Sequence, residues 1–183
     1  MPLIIGLTGP NAAGKGEVAA YLGERGFSVH SLSDVIRDEA AARGLAPTRE
    51  HLIRIGNELR REGGPGVLAE RIVSRLGRLS VVDSIRNPGE VEVLRRLEGF
   101  VLVAVHAPTA VRFRRAVGRA RPGDPTTLLE FEEREAQENT RDPRAQQLDA
   151  TARLADHELT NDGDIVALRR RTDDLLERLE FGD

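Results

Sequence analysis

The stretch GPNAAGKGEV, residues 9–18, directly follows the apolar run LIIGLT at residues 3–8 and precedes a segment with helical spacing. It matches the pattern G-x-x-x-x-G-K between a strand and a helix, which is typical of a phosphate-binding loop. Glycines let backbone N–H groups surround phosphate oxygens, and the following helix N-terminus adds partial positive charge. A glycine-rich turn without a ligand is the alternative. The pattern predicts a nucleotide-binding loop made of Gly9, Pro10, Asn11, Ala12, Ala13, Gly14, Lys15, Gly16 and Glu17.

Lys15 is the only lysine of the chain. The sequence has 27 lysine and arginine residues in total, so the other 26 are arginines. Lysine carries a compact ammonium and arginine a planar fork, and the two do not replace each other freely. A composition that avoids lysine elsewhere but keeps it here favours a contact between Lys15 and the outer phosphates of a nucleotide.

Length and composition narrow the class of protein. The 183 residues fit a single domain spanning 1–183, in which about 70% of the unfolded chain's surface can be buried. The net charge of −3 disfavours nucleic acid as a partner, although a local basic patch would keep it open. Without cysteine there are no disulfides or thiolate metal sites. No signal-peptide pattern and no run of roughly 20 apolar residues is present, so we expect a cytoplasmic protein without a membrane partner.

Short apolar runs alternate with amphipathic segments along the whole chain, a pattern typical of βαβ units and a parallel sheet. The apolar runs predict five strands, at 3–8, 27–32, 79–84, 100–107 and 157–161. Helical spacing predicts helices between Gly14 and Gly26, at 34–43, 49–62, 66–77, 88–98, 109–118 and 127–139, and over the last segment. Ligands of such sheets bind outside the carboxyl ends of the strands.

The longer stretch GLTGPNAAGKGEV resembles the P-loop of the nucleoside monophosphate kinase superfamily, which includes adenylate kinases and dephospho-CoA kinases. Its GKG form is similar to adenylate kinases, whereas IGLTG and SDVIRDE are similar to dephospho-CoA kinases. Over nearly the whole chain, the motifs GNELRREGGPGVLAERI, VVDSIRNPGEVEVLRR, VHAPTAVRFRRAVGR and LTNDG resemble a poorly characterised family of kinase-like proteins from archaea and bacteria. The resemblance implies an α/β, three-layer P-loop NTPase fold with a five-stranded parallel sheet, helices on both faces and a small helical lid.

The motif SLSDVIRDE, residues 31–39, follows the second predicted strand. The resemblance implies an acceptor pocket here, built by helices at about 34–77. Asp34 matches the acidic residue of dephospho-CoA kinases, and Arg37 matches the arginine that holds the acceptor phosphate in adenylate kinases. Three residues apart on one helix, both side chains would share a face, where they could position an acceptor and bind its phosphate. The alternative is that Ser33 or Asp34 caps the helix and Arg37 is solvated.

The motif VVDSIR ends the third predicted strand, which the resemblance implies lies beside the first. Asp83 then matches the Walker-B carboxylate, which holds Mg²⁺ directly or through water. Arg86 matches the superfamily arginine that faces the acceptor and binds its phosphate. The alternative is that Asp83 only begins a turn and Arg86 is exposed.

Arginines cluster at residues 112–121, where the resemblance implies a lid that spans about 112–140. Lid arginines close over the transferring phosphoryl group, exclude water and stabilise its charge. Arg119 and Arg121, which flank the loop RARPGDP, are the preferred pair. The glutamate-rich segment 130–138 is expected to form a solvated helix face.

Two further positions have alternative interpretations. Asn161 lies where the superfamily passes its backbone near the adenine ring, but it could equally cap the last helix. Gly16 stands where many phosphate-binding loops have serine or threonine, and Glu17 stands where adenylate kinases have threonine. Glu17 therefore either binds Mg²⁺ together with Asp83, or faces solvent in the first helical turn, stabilised by the helix dipole.

These residues together predict an ATP- and Mg²⁺-dependent kinase. The acceptor would be a small-molecule nucleotide, a nucleoside or deoxynucleoside monophosphate, because Arg37 and Arg86 form a phosphate clamp. The residues expected to act in catalysis are Lys15, Asp34, Asp83, Arg119 and Arg121. Alternatives are a hydroxyl-acceptor kinase of the dephospho-CoA kinase type with Asp34 as base, a kinase acting on a modified base in DNA, and a non-catalytic ATP-binding module. We expect a monomer or homodimer.

Overall fold

The computed structural model describes residues 1–119 and 125–181. The strands are β1 (Leu3–Thr8), β2 (Ser28–Ser31), β3 (Leu79–Asp83), β4 (Phe100–His106) and β5 (His157–Thr160). The helices are α1 (Lys15–Glu24), α2 (Leu32–Ala42), α3 (Arg49–Gly63), α4 (Val67–Val73), α5 (Pro88–Leu94), α6 (Thr109–Arg119), α7 (Leu128–Glu138), α8 (Leu148–Ala152) and α9 (Ile165–Phe181).

The strands of the described residues form one five-stranded sheet in the order β2-β3-β1-β4-β5, with every neighbouring pair parallel. The predicted α/β fold with a five-stranded parallel sheet is thereby confirmed, and β3 lies beside β1 as expected. In this arrangement all carboxyl ends meet at one edge of the sheet. The segments after β1, β2, β3 and β5 therefore converge on a single cleft.

Apolar side chains fill both faces of the sheet at its three central strands β3, β1 and β4, which explains why these strands have few polar positions. One cluster joins Ile4, Val82 and Leu102 to the helices α2–α5. The other joins Ile5, Leu7 and Val103 to α1 and α9. Helices thus cover the sheet on both sides, as the prediction of three layers requires.

Two helices are shorter than predicted. The prediction of helix 66–77 extends four residues beyond the end of α4, and that of 88–98 extends four beyond the end of α5. Each chain segment instead closes with tight i to i−3 bonds, from Leu76 N to Val73 O (3.2 Å) and from Leu97 N to Leu94 O (3.0 Å). Leu76 and Leu97 still pack against the core, so the apolar spacing continued past the helix ends. The five-residue helix α8 was not predicted.

Helix starts follow local capping chemistry. Asn87 and Glu90 form a capping box at α5, with Pro88 in the first turn. At α2 the cap is Ser31, whose hydroxyl accepts from Ser33 N at 3.2 Å. The interpretation of Ser33 or Asp34 as the cap is therefore wrong, because the helix begins at Leu32, before both residues.

None of the helices in the described part of the chain combines the length and apolar character needed to span a bilayer.

Candidate functional site

The loop between β1 and α1 has a backbone that only small residues tolerate. Gly9 and Gly14 have φ angles of 125° and 108°, in the left-handed region that favours glycine. A Cβ on Gly9 would lie 2.2 Å from Val105 O, and one on Gly14 would lie 2.1 Å from Asn161 Nδ2. The motif glycines are thus required both by conformation and by the close approach of β4 and of the residue after β5.

Lys15 begins α1 and lies against the loop that precedes it. Its Nζ donates to Gly9 O at 2.8 Å and to Pro10 O at 2.9 Å, and the residue is only 9% exposed. Burial first, and then the charge of Arg86, lower the pKa of Lys15 to about 8, whereas Asp83 acts in the opposite direction. The ammonium is held inside the loop, where an anionic ligand would stabilise its charged form and raise its pKa.

Asn161 is a buried support of this loop. Its Nδ2 donates to Ala13 O at 2.8 Å, and its Oδ1 accepts from Arg115 Nη2 at 3.1 Å. The alternative interpretation of Asn161 as the cap of the last helix is wrong, because Asp164 Oδ1 accepts from Ala167 N at 2.8 Å at that helix start. Arg115, also bonded to Ala13 O, belongs to the site, although nothing in its spacing distinguishes it from the neighbouring arginines.

The segment after β3 turns sharply into the same cleft. Ser84 has a φ of 66°, and its N–H donates to Asp83 Oδ1 at 2.6 Å. Arg86 is half-buried and donates from Nη1 to Gln146 Oε1 at 3.0 Å, so the interpretation of Arg86 as exposed is wrong. Burial lowers the pKa of Arg86 from its ordinary value, while the charges of Glu138 and Asp83 oppose this shift.

A buried ion pair holds Arg86 in place. Glu90 Oε1 accepts from Arg60 Nη2 at 2.7 Å and Nε at 3.0 Å, and the two side chains are 0% and 2% exposed. Glu90 Oε2 accepts from the backbone N–H of Arg86 at 2.8 Å and of Asn87 at 3.1 Å. One carboxylate thus ties α3 to the turn that carries Arg86.

Asp34 and Arg37 lie together on α2, as their spacing predicted. Arg37 Nη1 contacts Asp34 Oδ1 at 2.6 Å, with side chains 49% and 62% exposed. The two residues differ in their relation to the cleft. Among the described residues that line it, Arg37 is included and Asp34 is not.

The predicted lid region contains α6 and α7. Arg119 lines the cleft, and Arg121 lies outside the described residues. Arg112 is buried, pairs with Glu135 and donates from Nε to Ala107 O at 3.0 Å, which ties α6 to α7.

The expectation that segment 130–138 is a solvated face is wrong for two of its glutamates. Glu135 binds Arg112, and Glu138 binds Arg49 and Asn11.

Two adjoining cavities make up the cleft. The P-loop cavity, of about 860 Å³, is lined by the loop and by Asp83, Arg115, Arg119 and Asn161. The α2–α3 cavity, of about 560 Å³, is lined by apolar side chains of α2, α3 and α4 together with Glu138. Residues common to both cavities include Asn11, Ser33, Arg37, Ser84 and Arg86. Ser33, in the first turn of α2, and Ser84, directly after β3, were not predicted as site residues, because serine at such positions has no distinctive spacing.

The carboxylates that line the P-loop cavity fit a Mg²⁺ ion that is bound together with the phosphates of a nucleotide. Among residues 1–119 and 125–181, no three histidine, aspartate or glutamate side chains group into a metal site. Mg²⁺ usually keeps several waters and takes one or two carboxylates plus substrate phosphates. Glu17 and Asp83 both line the P-loop cavity beside Lys15. A Cβ on Gly16 would have no neighbour within 4 Å, so the absence of a hydroxyl residue there is not imposed by packing.

The parallel sheet, the glycine loop with its buried lysine, and the arginine-lined cleft together define the class of P-loop kinase-like proteins. An AAA domain model matches residues 5–140. A shikimate kinase structure from Bacteroides thetaiotaomicron superposes with a TM-score of 0.59 at 17% identity, covering 97% of this chain and 99% of that one. TT1252 from Thermus thermophilus gives a TM-score of 0.63 at 24% identity, covering 97% and 98%. These similarities are similarities of fold.

The chain belongs to the UPF0200 family. A UPF0200 protein from Hyperthermus butylicus is 36% identical over 181 residues, which cover 97% of this chain and 95% of that relative. The predicted resemblance to a family with archaeal members is confirmed, and the similarity to kinases is one of fold. The name of the family does not identify a substrate.

Proposed function

We propose that the protein is an ATP-dependent kinase that transfers the γ-phosphate to a nucleotide, a nucleoside or deoxynucleoside monophosphate. The observation that carries this proposal is the position of Arg37 and Arg86. Both line the P-loop cavity and the α2–α3 cavity, so an anionic acceptor bound by them would face the outer phosphate of a nucleotide in the loop.

The P-loop cavity supplies the groups that phosphoryl transfer needs on the donor side. Residues 9–16 would surround the phosphates with backbone N–H groups, and Lys15 would neutralise the charge that develops on transfer. Arg119, with Arg121, would stabilise that charge and exclude water. Beyond the loop, Asn161, Ile165 and Leu168 also line this cavity and offer a mixed polar and apolar surface to a base.

The α2–α3 cavity suits an acceptor with a flat apolar body and an anionic end. Leu32, Ile36 and Leu68 line one part, whereas Arg37 and Arg86 line the part that adjoins the loop. A phosphate acceptor is already an anion and needs cations to position it rather than a base to deprotonate it. This division of the cavity supports a nucleoside monophosphate.

Asp83 and Glu17 would hold Mg²⁺, which neutralises phosphate charge when bound. Asp83 is the stronger candidate, because it is partly buried at the end of β3, while Glu17 is exposed on the first turn of α1. We expect Glu17→Thr to change the Mg²⁺ concentration needed for half-maximal nucleotide binding. A variant with unchanged Mg²⁺ dependence would mean that Glu17 is not a ligand and that Asp83 and water suffice.

Asp34 decides between this proposal and a hydroxyl-acceptor kinase of the dephospho-CoA kinase type. A base must come within hydrogen-bond reach of the acceptor hydroxyl. Asp34 is 62% exposed and paired with Arg37, outside the described lining of both cavities, which favours the phosphate acceptor. Retained binding with lost activity in Asp34→Asn would support the hydroxyl acceptor instead.

The test is an acceptor screen with radiolabelled ATP and Mg²⁺. The panel contains the nucleoside and deoxynucleoside monophosphates, dephospho-CoA and single-stranded DNA with modified bases. We expect transfer to one or more monophosphates, lost in Lys15→Met and lowered by about 10²-fold or more in Arg86→Ala, because an arginine contact to a transferring or accepting phosphate is worth several kcal/mol. Arg170→Ala, at an exposed arginine on α9 that is not among the described lining residues of either cavity, is the matched control.

Other outcomes of this screen separate the alternatives. Transfer only to dephospho-CoA would replace the monophosphate, and transfer only to DNA would establish a macromolecular acceptor. ATP binding without transfer to any acceptor would identify a non-catalytic nucleotide-binding module and overturn the kinase proposal.

A further inference from the structure

The carboxylate of Glu138 joins two elements that lie on different sides of the cleft. At the end of α7, it accepts from Arg49 Nη2 at 2.6 Å and Nε at 2.7 Å, and from Asn11 Nδ2 at 3.0 Å. Arg49 begins α3, which walls the α2–α3 cavity, and Asn11 belongs to the P-loop. The Glu138 side chain is only 8% exposed, so its charge is little screened by water.

Glu138 also acts on the arginine that is central to the proposed acceptor site. Its negative charge is the largest favourable charge contribution to the protonated form of Arg86. Glu138, Arg49 and Arg86 all line the α2–α3 cavity. Glu138 therefore places a negative charge beside Arg49 and Arg86, where an anionic acceptor would also place one.

An anion entering this cavity changes the surroundings of Glu138. The anion and the Glu138 carboxylate are both negative, so they repel each other, and each of them stabilises the positive charges of Arg49 and Arg86. An anion bound to Arg49 would weaken the ion pair between Arg49 and Glu138, and the contact from Glu138 to Asn11 would then change as well. The Glu138 carboxylate thus contacts Arg49 on the acceptor side of the cleft and Asn11 of the P-loop on the nucleotide side.

We propose that Glu138 is a positioning residue that competes with the anionic acceptor for Arg49 and Arg86 and thereby couples acceptor binding to the P-loop through Asn11. This inference rests on the proposed function, since it takes the P-loop as the nucleotide site. Coupling between two sites is reciprocal for binding. Removal of the Arg49 side chain from the α2–α3 cavity should therefore alter the affinity for nucleotide. It should do so only when residue 138 carries the carboxylate of Glu138.

The test measures binding of Mg·AMP-PNP by calorimetry to the wild type, Arg49→Ala, Glu138→Gln and the double variant. In Arg49→Ala the Glu138 charge has lost its partner beside the loop, so we expect the affinity to fall by about threefold or more, within the range of couplings between residues in contact. In the Glu138→Gln background the charge is absent, and Arg49→Ala should then change the affinity by less than about twofold. No acceptor needs to be known for this measurement.

Two substitutions serve as matched controls. Arg54→Ala removes another arginine of α3, which pairs with Glu58 at 3.9 Å, and Glu133→Gln neutralises an exposed glutamate of α7. We expect neither substitution to lower the affinity for Mg·AMP-PNP as Arg49→Ala does when Glu138 is present. Thermal unfolding of each variant checks that it is folded. An equal effect of Arg49→Ala in both backgrounds, or none in either, overturns the coupling while leaving the kinase proposal intact. A wild-type protein that binds no Mg·AMP-PNP overturns both.

Discussion

Gly14 and Gly16 lie two residues apart in the phosphate-binding loop, but their surroundings differ. Gly14 has a φ of 108° and abuts Asn161, whereas Gly16 lies in α1 with open space where a Cβ would be. We expect Gly14→Ala to destabilise the protein by about 1–3 kcal/mol or more, because the backbone conformation is strained for alanine. We expect Gly16→Ala to stabilise it by about 0.5 kcal/mol, because alanine restricts the unfolded chain.

Urea unfolding of the wild type and both variants gives the two free energies of unfolding. Equal effects of the two substitutions would show that the left-handed conformation and the contact with Asn161 do not determine the need for glycine at position 14.

The lowered pKa of Lys15, about 8, predicts proton uptake when nucleotide binds. Below this pKa the ammonium is charged, and above it the free protein loses the proton, whereas bound phosphate favours the charged form and raises the pKa. At pH 8 we therefore expect uptake of about half a proton, and affinity that declines as the pH rises further.

Calorimetry with ATP and EDTA at pH 8, in two buffers of different ionisation enthalpy, measures this uptake. Lys15→Arg keeps a charge that does not titrate in this range and should show none. A wild-type enthalpy that is independent of the buffer would contradict the assignment of the titrating group to Lys15.

The sequence predicts the role of a residue when its partners lie nearby in the chain. It does not predict the role when the partners lie far apart in the chain. The loop glycines and Lys15 are fixed by spacing within seven residues. The bond from Asn161 to Ala13 joins residues 148 apart, and that from Glu138 to Asn11 joins residues 127 apart. No spacing rule marks such partners, so Arg115 and Glu138 became recognisable only in the folded chain.

At the scale of elements, the Arg60–Glu90 pair sets how α3 lies against α5. Both side chains are almost fully buried, and each charge is compensated mainly by the other. We expect Glu90→Gln to destabilise the protein by roughly 3–5 kcal/mol, because it leaves the Arg60 charge buried without a partner. Arg60→Met in the Glu90→Gln background should recover at least about half of that loss, since the remaining pair is neutral.

Thermal or urea unfolding of the single and double variants measures this cycle. Glu92→Gln, at an exposed position of the same helix, is the control and should stay within about 0.5 kcal/mol of the wild type. A double variant less stable than Glu90→Gln would show that the pair is not the source of the effect.

Element positions were predictable because burial on two sides leaves an apolar run, and burial on one side leaves a helical stripe. The capping box at α5 is predictable for a different reason, because its residues lie within four positions of one another. Helix ends were not, since Leu76 and Leu97 bury their side chains from tight turns rather than from continued helix. Helix α8, with five residues, is too short for a periodic pattern to mark it.

At the scale of the whole molecule, both apolar clusters share one sheet, so we expect residues 1–183 to unfold as a single unit. Calorimetry should give one transition whose measured enthalpy equals its van 't Hoff value. Mg·AMP-PNP at about 100 times its Kd should stabilise the protein by about 2.7 kcal/mol and raise the single Tm by about 5–10 °C. Two transitions, of which only one moves with nucleotide, would contradict a single domain.

The parallel sheet followed from the alternation of elements, and the place of β3 beside β1 from the resemblance to P-loop kinases, whereas the rest of the strand order was not predicted. The division of the cleft into two cavities was not predicted, because it involves contacts between elements that lie far apart in the sequence. Arg112 and Glu135 tie α6 to α7, and Glu138 ties α7 to Arg49 of α3 and to Asn11 of the P-loop.

The single lysine has a practical consequence for labelling chemistry. Amine-selective reagents act on unprotonated amines, and a side-chain pKa of about 8 provides that form near neutral pH. Apart from the chain terminus, Lys15 is the one primary amine in the sequence, and it lies in the loop itself. Besides the exposed amino terminus, the amine that an acylating probe can modify is that of Lys15. A bound nucleotide would cover this amine and raise its pKa, so mass spectrometry of the peptide that contains Lys15 reports the occupancy of the P-loop in a mixture.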